Sequence, residues 1–323
     1  MAIALIGAGY WGKNILRNLR ELGVLRKVYD SSPDRIRELK DQSPEIEFSN
    51  SVDEIFNDKA IKGVCIATPA STHYQVVKSA LLSGKDVFVE KPLALNTIEA
   101  EELVNLAEST GKILMVGHIL RYHPAVEKLK TIIEDGELGD IHYIYSNRLN
   151  IGKLRTEENI LWSFAPHDIS VMLFLVGKEP EKVEAYGAAY LQEGIFDVTM
   201  THLEFPEGIM GHIFVSWLHP FKEQKLVVVG SKNMAVFDDL TEEKLFLYPH
   251  KIKWVQEKIP VAEKADRIAV PVERKEPLKE ELIHFLKCME SRYRPYTDGE
   301  EGLRVLKVLE RAQNALTSKG GRR

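Results

Sequence analysis

The sequence predicts two structural classes in series: a doubly wound parallel α/β domain over residues 1–120, then an α+β domain over residues 121–323 built on a large, mostly antiparallel open sheet. Three observations carry that reading. The first part alternates short uncharged apolar runs with helical patterns, the rhythm of βα units. The stretch GAGYWG at residues 7–12 stands between a strand-like run and a helix. Beyond residue 140, apolar and polar residues alternate along short runs, as in a sheet covered mainly on one face.

Taken in order, Ala2-Ile3-Ala4-Leu5-Ile6 is a run with no polar alternation, expected of a strand buried on both faces. Ile15, Leu19 and Leu22 recur at helical spacing, and Gly23 stands where that helix would stop. Apolar runs at 27–30, 64–68, 87–90 and 113–117 complete the parallel strands. Asn96 or Thr97 can cap a helix that aligns Ala100, Leu103 and Ala107 before Gly111 ends it. The next helix starts at Pro124, carries Val126, Leu129 and Ile133 on one face and stops at Gly136. Strand-like runs follow at 141–149, 183–190, 198–205, 209–217, 225–229, 235–237 and 245–248. Two helices close the chain, one aligning Leu282, Phe285, Leu286 and Met289, the other opening at Asp298-Gly299-Glu300-Glu301 in a capping-box pattern. The basic stretch 318–323 reads as a frayed end.

Composition narrows the function classes. With 44% hydrophobic and 28% charged residues, the chain falls among ordinary soluble globular proteins. A net charge of −5 and the lack of a basic block interleaved with aromatics argue against a nucleic-acid partner. No apolar run reaches membrane-spanning length and the N-terminus lacks a basic leader, so a cytoplasmic location is expected. Cys65 lies in an apolar run and Cys288 on a predicted helix, both read as core residues. No metal-ligand spacing such as H-E-x-x-H occurs, so no metal is assigned.

The glycine stretch has a physical reading. Gly7 permits a tight turn, Gly9 has no side chain to hold a pyrophosphate away from the backbone, and Gly12 lets the helix approach the strand. The helix N-terminus then offers unpaired N–H groups and a positive dipole end to phosphates. Asp30 closes the next apolar run at about the spacing where an acid accepts from an adenosine ribose. A carboxylate there repels the extra phosphate of NADP, which points to NAD, although Arg35 lies nearby. Val87-Phe88-Val89-Glu90-Lys91-Pro92 places Lys91 at the carboxyl end of a strand, where open α/β sheets bind ligands. Thr68-Pro69-Ala70-Ser71-Thr72-His73 ends another strand in the same way, either as a pocket wall or as a capped loop. His167, in Trp162-Ser163-Phe164-Ala165-Pro166-His167-Asp168-Ile169-Ser170, precedes the apolar helical pattern of Ile169, Met172, Leu173 and Val176. That predicts a ring near a helix start, where neutral imidazole is favoured and can accept a proton.

GAGYWG, Asp30, TPASTH, EKP, GHILRYHP and WSFAPHDIS together resemble the glucose–fructose oxidoreductase/inositol dehydrogenase family of nicotinamide-dependent sugar dehydrogenases. Within it, SNRLNIGKLRTEENILW followed by APHDIS is most similar to the branch that oxidises the 3-hydroxyl of a UDP-linked N-acetyl-aminosugar or its uronate. The resemblance implies a Rossmann domain and NAD as cofactor. It implies Lys91 as the residue contacting the reacting hydroxyl and His167 as general base. The expected cofactor set is Gly7, Gly9, Tyr10, Trp11, Gly12, Asp30, Ser31, Thr68, Pro69, His73, Glu90, Lys91 and Trp162. Substrate is expected at Arg121, Tyr122, Arg148, Asn150, Arg155, Ser163, His167 and Asp168, the arginines gripping an anionic group. Many members carry an aspartate four residues before the histidine; here Ser163 can orient by hydrogen bonding but supplies no charge. The partner is then a small sugar or nucleotide sugar, and the chain a homodimer or homotetramer. A free polyol such as inositol, or a non-catalytic NAD-binding sensor or scaffold, are the alternatives.

Overall fold

The structure is a computed structural model that describes residues 1–152, 154–256 and 258–318; the end of the basic terminal stretch, 319–323, lies outside them. The chain forms two compact units, one of Met1–Tyr122 with Glu276–Leu306, the other of His123–Lys275 with Lys307–Arg323.

In chain order the first unit contains β1 (Ala2–Ile6), α1 (Gly12–Glu21), β2 (Leu25–Tyr29), α2 (Pro33–Gln42), β3 (Glu47–Phe48), α3 (Val52–Asn57), β4 (Ile61–Ile66), α4 (His73–Leu82), β5 (Asp86–Glu90), α5 (Thr97–Thr110) and β6 (Leu114–Gly117). Its sheet has six parallel strands in the order β3-β2-β1-β4-β5-β6. The strand order reverses at β1, between β1 and β4, where a doubly wound sheet opens its crevice. Local chemistry fixes the helix starts: Ser32 and Ser51 side chains accept from the third amide of α2 and α3, and Asn96, rather than Thr97, caps α5 by accepting from Glu99 N at 2.8 Å. Gly111 ends α5 in the left-handed region at φ +62°.

The second unit contains α6 (Pro124–Glu134), β7 (Ile141–Leu149), α7 (Ile160–Val176), β8 (Lys182–Ala188), β9 (Val198–Glu204), β10 (Met210–Ser216), β11 (Glu223–Gly230), β12 (Met234–Asp238), β13 (Leu245–Tyr248), β14 (Lys251–Val255), β15 (Ile259–Glu263) and β16 (Ile268–Ala269). An eight-stranded sheet runs β16-β13-β12-β11-β7-β10-β9-β8. Only its β7–β10 pair is parallel, because α7 and the β8–β9 hairpin carry the chain back between them. One face packs under α7 through Ile144, Ser146, Ile213 and Val215. The other presents Tyr143, Tyr186, Met200 and Met210, each 40–55% exposed. The β14–β15 hairpin was not foreseen: its apolar residues are interleaved with charges, and all ten of its residues are exposed.

The chain closes with α8 (Pro277–Ser291) and α9 (Gly299–Ser318). Here the structure departs from a simple split at residue 120, since 276–306 return to the first unit. The reason is packing. Leu282, Phe285, Cys288 and Met289 join the core of Ile3, Leu5, Cys65 and Phe88, and a Cβ on Gly63 would come within 2.7 Å of Met289 Cε. Cys65 and Cys288 are buried free thiols in that core, as expected. No helix among the described residues is long and apolar enough to cross a membrane.

Candidate active site

In the first unit, each glycine of GAGYWG does a different job. Gly7 has φ +92°, and a Cβ there would lie 2.7 Å from the Ala67 carbonyl at the end of β4. A Cβ on Gly12 would stand 2.2 Å from Gly7 O, so α1 could not close onto the turn. A Cβ on Gly9 would meet nothing within 4 Å. The space that Gly9 leaves is open, and no side chain caps α1. Such a cradle of bare backbone before an uncapped helix suits a pyrophosphate. Tyr10 is exposed beside it.

Asp30, just past β2, ties the turn in place: Oδ2 accepts from Ala8 N at 2.8 Å and Oδ1 from Ser32 N at 2.9 Å. Each carboxylate oxygen keeps a further lone pair, so a ribose hydroxyl can still donate to it. Ser31 lies exposed between these two anchors.

The carboxyl ends of β4 and β5 are joined by His73. This buried ring places Nδ1 2.7 Å from Pro92 O and Nε2 3.0 Å from Thr68 O. Burial pushes its pKa down, against the two carbonyls, which favour the imidazolium. Thr72 Oγ1 closes the loop, lying 2.8 Å from the accepting Pro69 O and 2.7 Å from the Thr68 hydroxyl. Glu90 accepts from Trp11 Nε1 at 2.5 Å, which fastens the glycine turn to the strand end that carries Lys91. Burial pushes the Glu90 carboxyl up to about 7, a rise limited by the Trp11 donor and the Lys91 ammonium. Gly117 makes room for it, since a Cβ there would lie 3.1 Å from the carboxylate. The Lys91–Pro92 peptide is cis. Tyr122 is committed to the core through His284 Nδ1 at 2.8 Å and Thr297 at 3.3 Å, and Arg121 lies half-buried beside it.

In the second unit, the structure corrects the position of His167. The helix does not begin after Pro166; α7 starts at Ile160, capped by Asn159 Oδ1 accepting from Trp162 N at 3.2 Å, and runs through Pro166. Trp162 is held there by donating to Gln313 at 3.0 Å. His167 is therefore beyond the first turn, outside the reach of the helix dipole, and the argument from that dipole to a neutral ring falls. Half-buried, it sits one turn after the buried Ser163. Its neighbour Asp168 is buried and accepts from Arg148 through Nε at 2.8 Å and Nη2 at 3.1 Å, and from Ser146 Oγ. Desolvation lowers the Arg148 pKa and Asp168 more than offsets it, for a net rise. Asn150 N donates to Ser216 O, and Arg155 is exposed, 3.6 Å from Glu158. The partners Ser146, Gln313 and Gly117 carry no local sequence signal, being joined to the site only through the fold.

Comparison with known proteins agrees with the motifs. Residues 1–118 match an oxidoreductase family with an NAD-binding Rossmann fold, and residues 126–236 match the GFO/IDH/MocA C-terminal domain. UDP-N-acetylglucosamine 3-dehydrogenase of Acidithiobacillus ferrooxidans is 27% identical over 95% of this chain and 94% of its own length. Its structure superposes with a TM-score of 0.86 at 25% identity, covering 98% of both chains. Myo-inositol 2-dehydrogenase of Thermotoga maritima is 26% identical over 99% of this chain and 97% of its own. A solved structure from Magnetospirillum magnetotacticum is 30% identical over 97% of this chain and 99% of that one, with a TM-score of 0.83. The chain belongs to the Gfo/Idh/MocA oxidoreductase family, and its first unit is an NAD-binding Rossmann domain.

Proposed function

We propose that this protein is an NAD-dependent dehydrogenase that oxidises a secondary alcohol of a sugar, with the 3-hydroxyl of a UDP-linked N-acetyl-aminosugar or its uronate as substrate. The observation that carries this is the Trp11–Glu90 hydrogen bond, which ties the phosphate cradle to the strand end bearing Lys91. Bound NAD supplies the hydride acceptor. Gly7, Gly9 and Gly12 hold its pyrophosphate, and Asp30 accepts from its ribose and disfavours NADP by charge.

Lys91, as a cation, stabilises the alcohol oxygen as negative charge develops, and His167 takes the hydroxyl proton. Ser163, one turn earlier on α7, orients without adding charge. Arg121 and Arg155 hold the anionic part of the substrate. The commitment of Arg148 to Asp168 favours a second reading, a free polyol that needs fewer cations. Self-association, as dimer or tetramer, uses the open sheet face that presents Tyr143, Tyr186, Met200 and Met210.

The test is a panel of UDP-linked N-acetylhexosamines, their uronates and free inositols, read by the absorbance of reduced nicotinamide. Reduction with the nucleotide sugars alone supports the first reading, and reduction with inositols alone the second. Tight NAD binding with no reduction by any member contradicts both and leaves a sensor or scaffold.

A further inference from the structure

Glu281, on α8, has no exposed surface, and neither carboxylate oxygen has a hydrogen-bond partner within the protein. An ionised carboxylate so placed is heavily penalised unless a cation or several donors face it. None does. The groups that act on it from β5 and α9 are Glu90 and Glu301, both acids. From β4 and the turn at Ile119–Tyr122 come Cys65 and Tyr122. The nearby imidazole of His118 is already bonded to Glu301, and Arg121 acts on Tyr122. The ion pairs of α8, Arg17–Glu276 and Lys279–Glu21, lie on its solvent side.

Glu90 differs from Glu281 in one respect. It has the Trp11 indole as a donor and Lys91 as a neighbouring cation. Two like charges in one buried site do not both ionise easily, and the charge settles where donors are. We propose that Glu281, wholly buried near the half-buried Glu90, keeps its proton at neutral pH, so that the negative charge the two acids carry above pH 7 rests on Glu90, where it holds Trp11 of the glycine turn. Glu281 is then a positioning residue: it touches neither cofactor nor substrate and acts by leaving Glu90 as the acceptor. The inference rests on the first unit alone and is independent of the sugar.

Infrared spectroscopy of the full chain in deuterated buffer reads the protonated carboxyl directly. At pD 8.5, where Glu90 is ionised, the wild-type protein should show a carbonyl band of a buried carboxylic acid that disappears in Glu281→Gln and in Glu281→Met. Stability supplies a second readout. A buried acid held protonated carries no penalty below its ordinary range, about 4.3, and an increasing one as pH rises above it, until the folded group ionises. The melting temperature of Glu281→Gln relative to wild type should therefore climb by several degrees between pH 5 and pH 8. NAD affinity at pH 7.5 should stay within about twofold of wild type, since a neutral amide replaces a neutral acid. The proposal is overturned by absence of the band in wild type, by its persistence in either variant, or by a melting difference that does not change with pH. Failure of both neutral variants to fold also counts against it, because a neutral replacement should be accepted.

Discussion

The strand ends of the first unit and the α7 region of the second hold their functional groups by opposite means. Around GAGYWG and EKP the geometry is made of backbone: glycines set by a positive φ or by close approach, and Asp30 bonded to two amides. Around His167 it is made of side chains holding one another, with Arg148 and Ser146 on Asp168 and Trp162 on Gln313. Damage should therefore differ in kind. The first region should fail by losing cofactor, the second by losing structure.

The largest effect is expected at Asp168. Asp168→Asn takes from Arg148, 12% exposed, the carboxylate that it grips with two N–H groups and leaves it only the more distant charge of Asp239, and breaking one side of a buried pair costs about 3–5 kcal/mol. Denaturant unfolding should register that loss, while Arg155→Ala, at an exposed site, should leave stability unchanged and raise KM for an anionic substrate. Equal stability of Asp168→Asn and wild type would remove the contrast between the regions.

Next come the glycines. Gly12→Ala forces a methyl against Gly7 O, and overpacking of this kind costs about 1–3 kcal/mol. Both stability and NAD affinity should fall. Gly9→Ala meets no protein atom, so calorimetry should find stability intact and NAD affinity reduced by roughly tenfold or more, the cradle being filled. A Gly9→Ala variant that binds NAD normally would show that the pyrophosphate passes elsewhere.

Asp30→Ala should have a smaller effect. It removes the ribose acceptor and the charge that disfavours NADP, and fluorescence titration should show the NAD/NADP preference narrowing by about tenfold, the value of one charge-assisted hydrogen bond. An unchanged ratio would place the discrimination on Arg35 or another neighbour.

This same contrast decides what could be read from the residues. The order strand, glycines, helix, acid is a local pattern, and the structure bears out the turn it predicts, with Gly7 at positive φ and Gly12 letting α1 close onto it. The longer sheet strands were legible from their apolar runs for the same reason, whereas β3 and β16, two residues each, were not. Long-range pairing was not. Nothing near Asp168 tells that Arg148 will meet it, so an arginine expected to grip substrate proves committed to the protein. The apolar pattern from Ile169 onward suggested a helix start near His167, but Asn159 caps the chain earlier and the helix runs through Pro166. The return of α8 to the first core depends on Phe285 and Met289 finding Phe88 and Gly63, far away in sequence.

We propose that Lys91 and His167 serve one proton-coupled hydride transfer. Its most direct test is kcat/KM for Lys91→Ala, His167→Ala and the double variant with whichever substrate the panel identifies. Each single change should cost roughly 100-fold or more, and the double change little beyond the worse single one, because groups acting in one step are not additive. Turnover left intact in His167→Ala, or a double loss equal to the product of the two, would contradict the account.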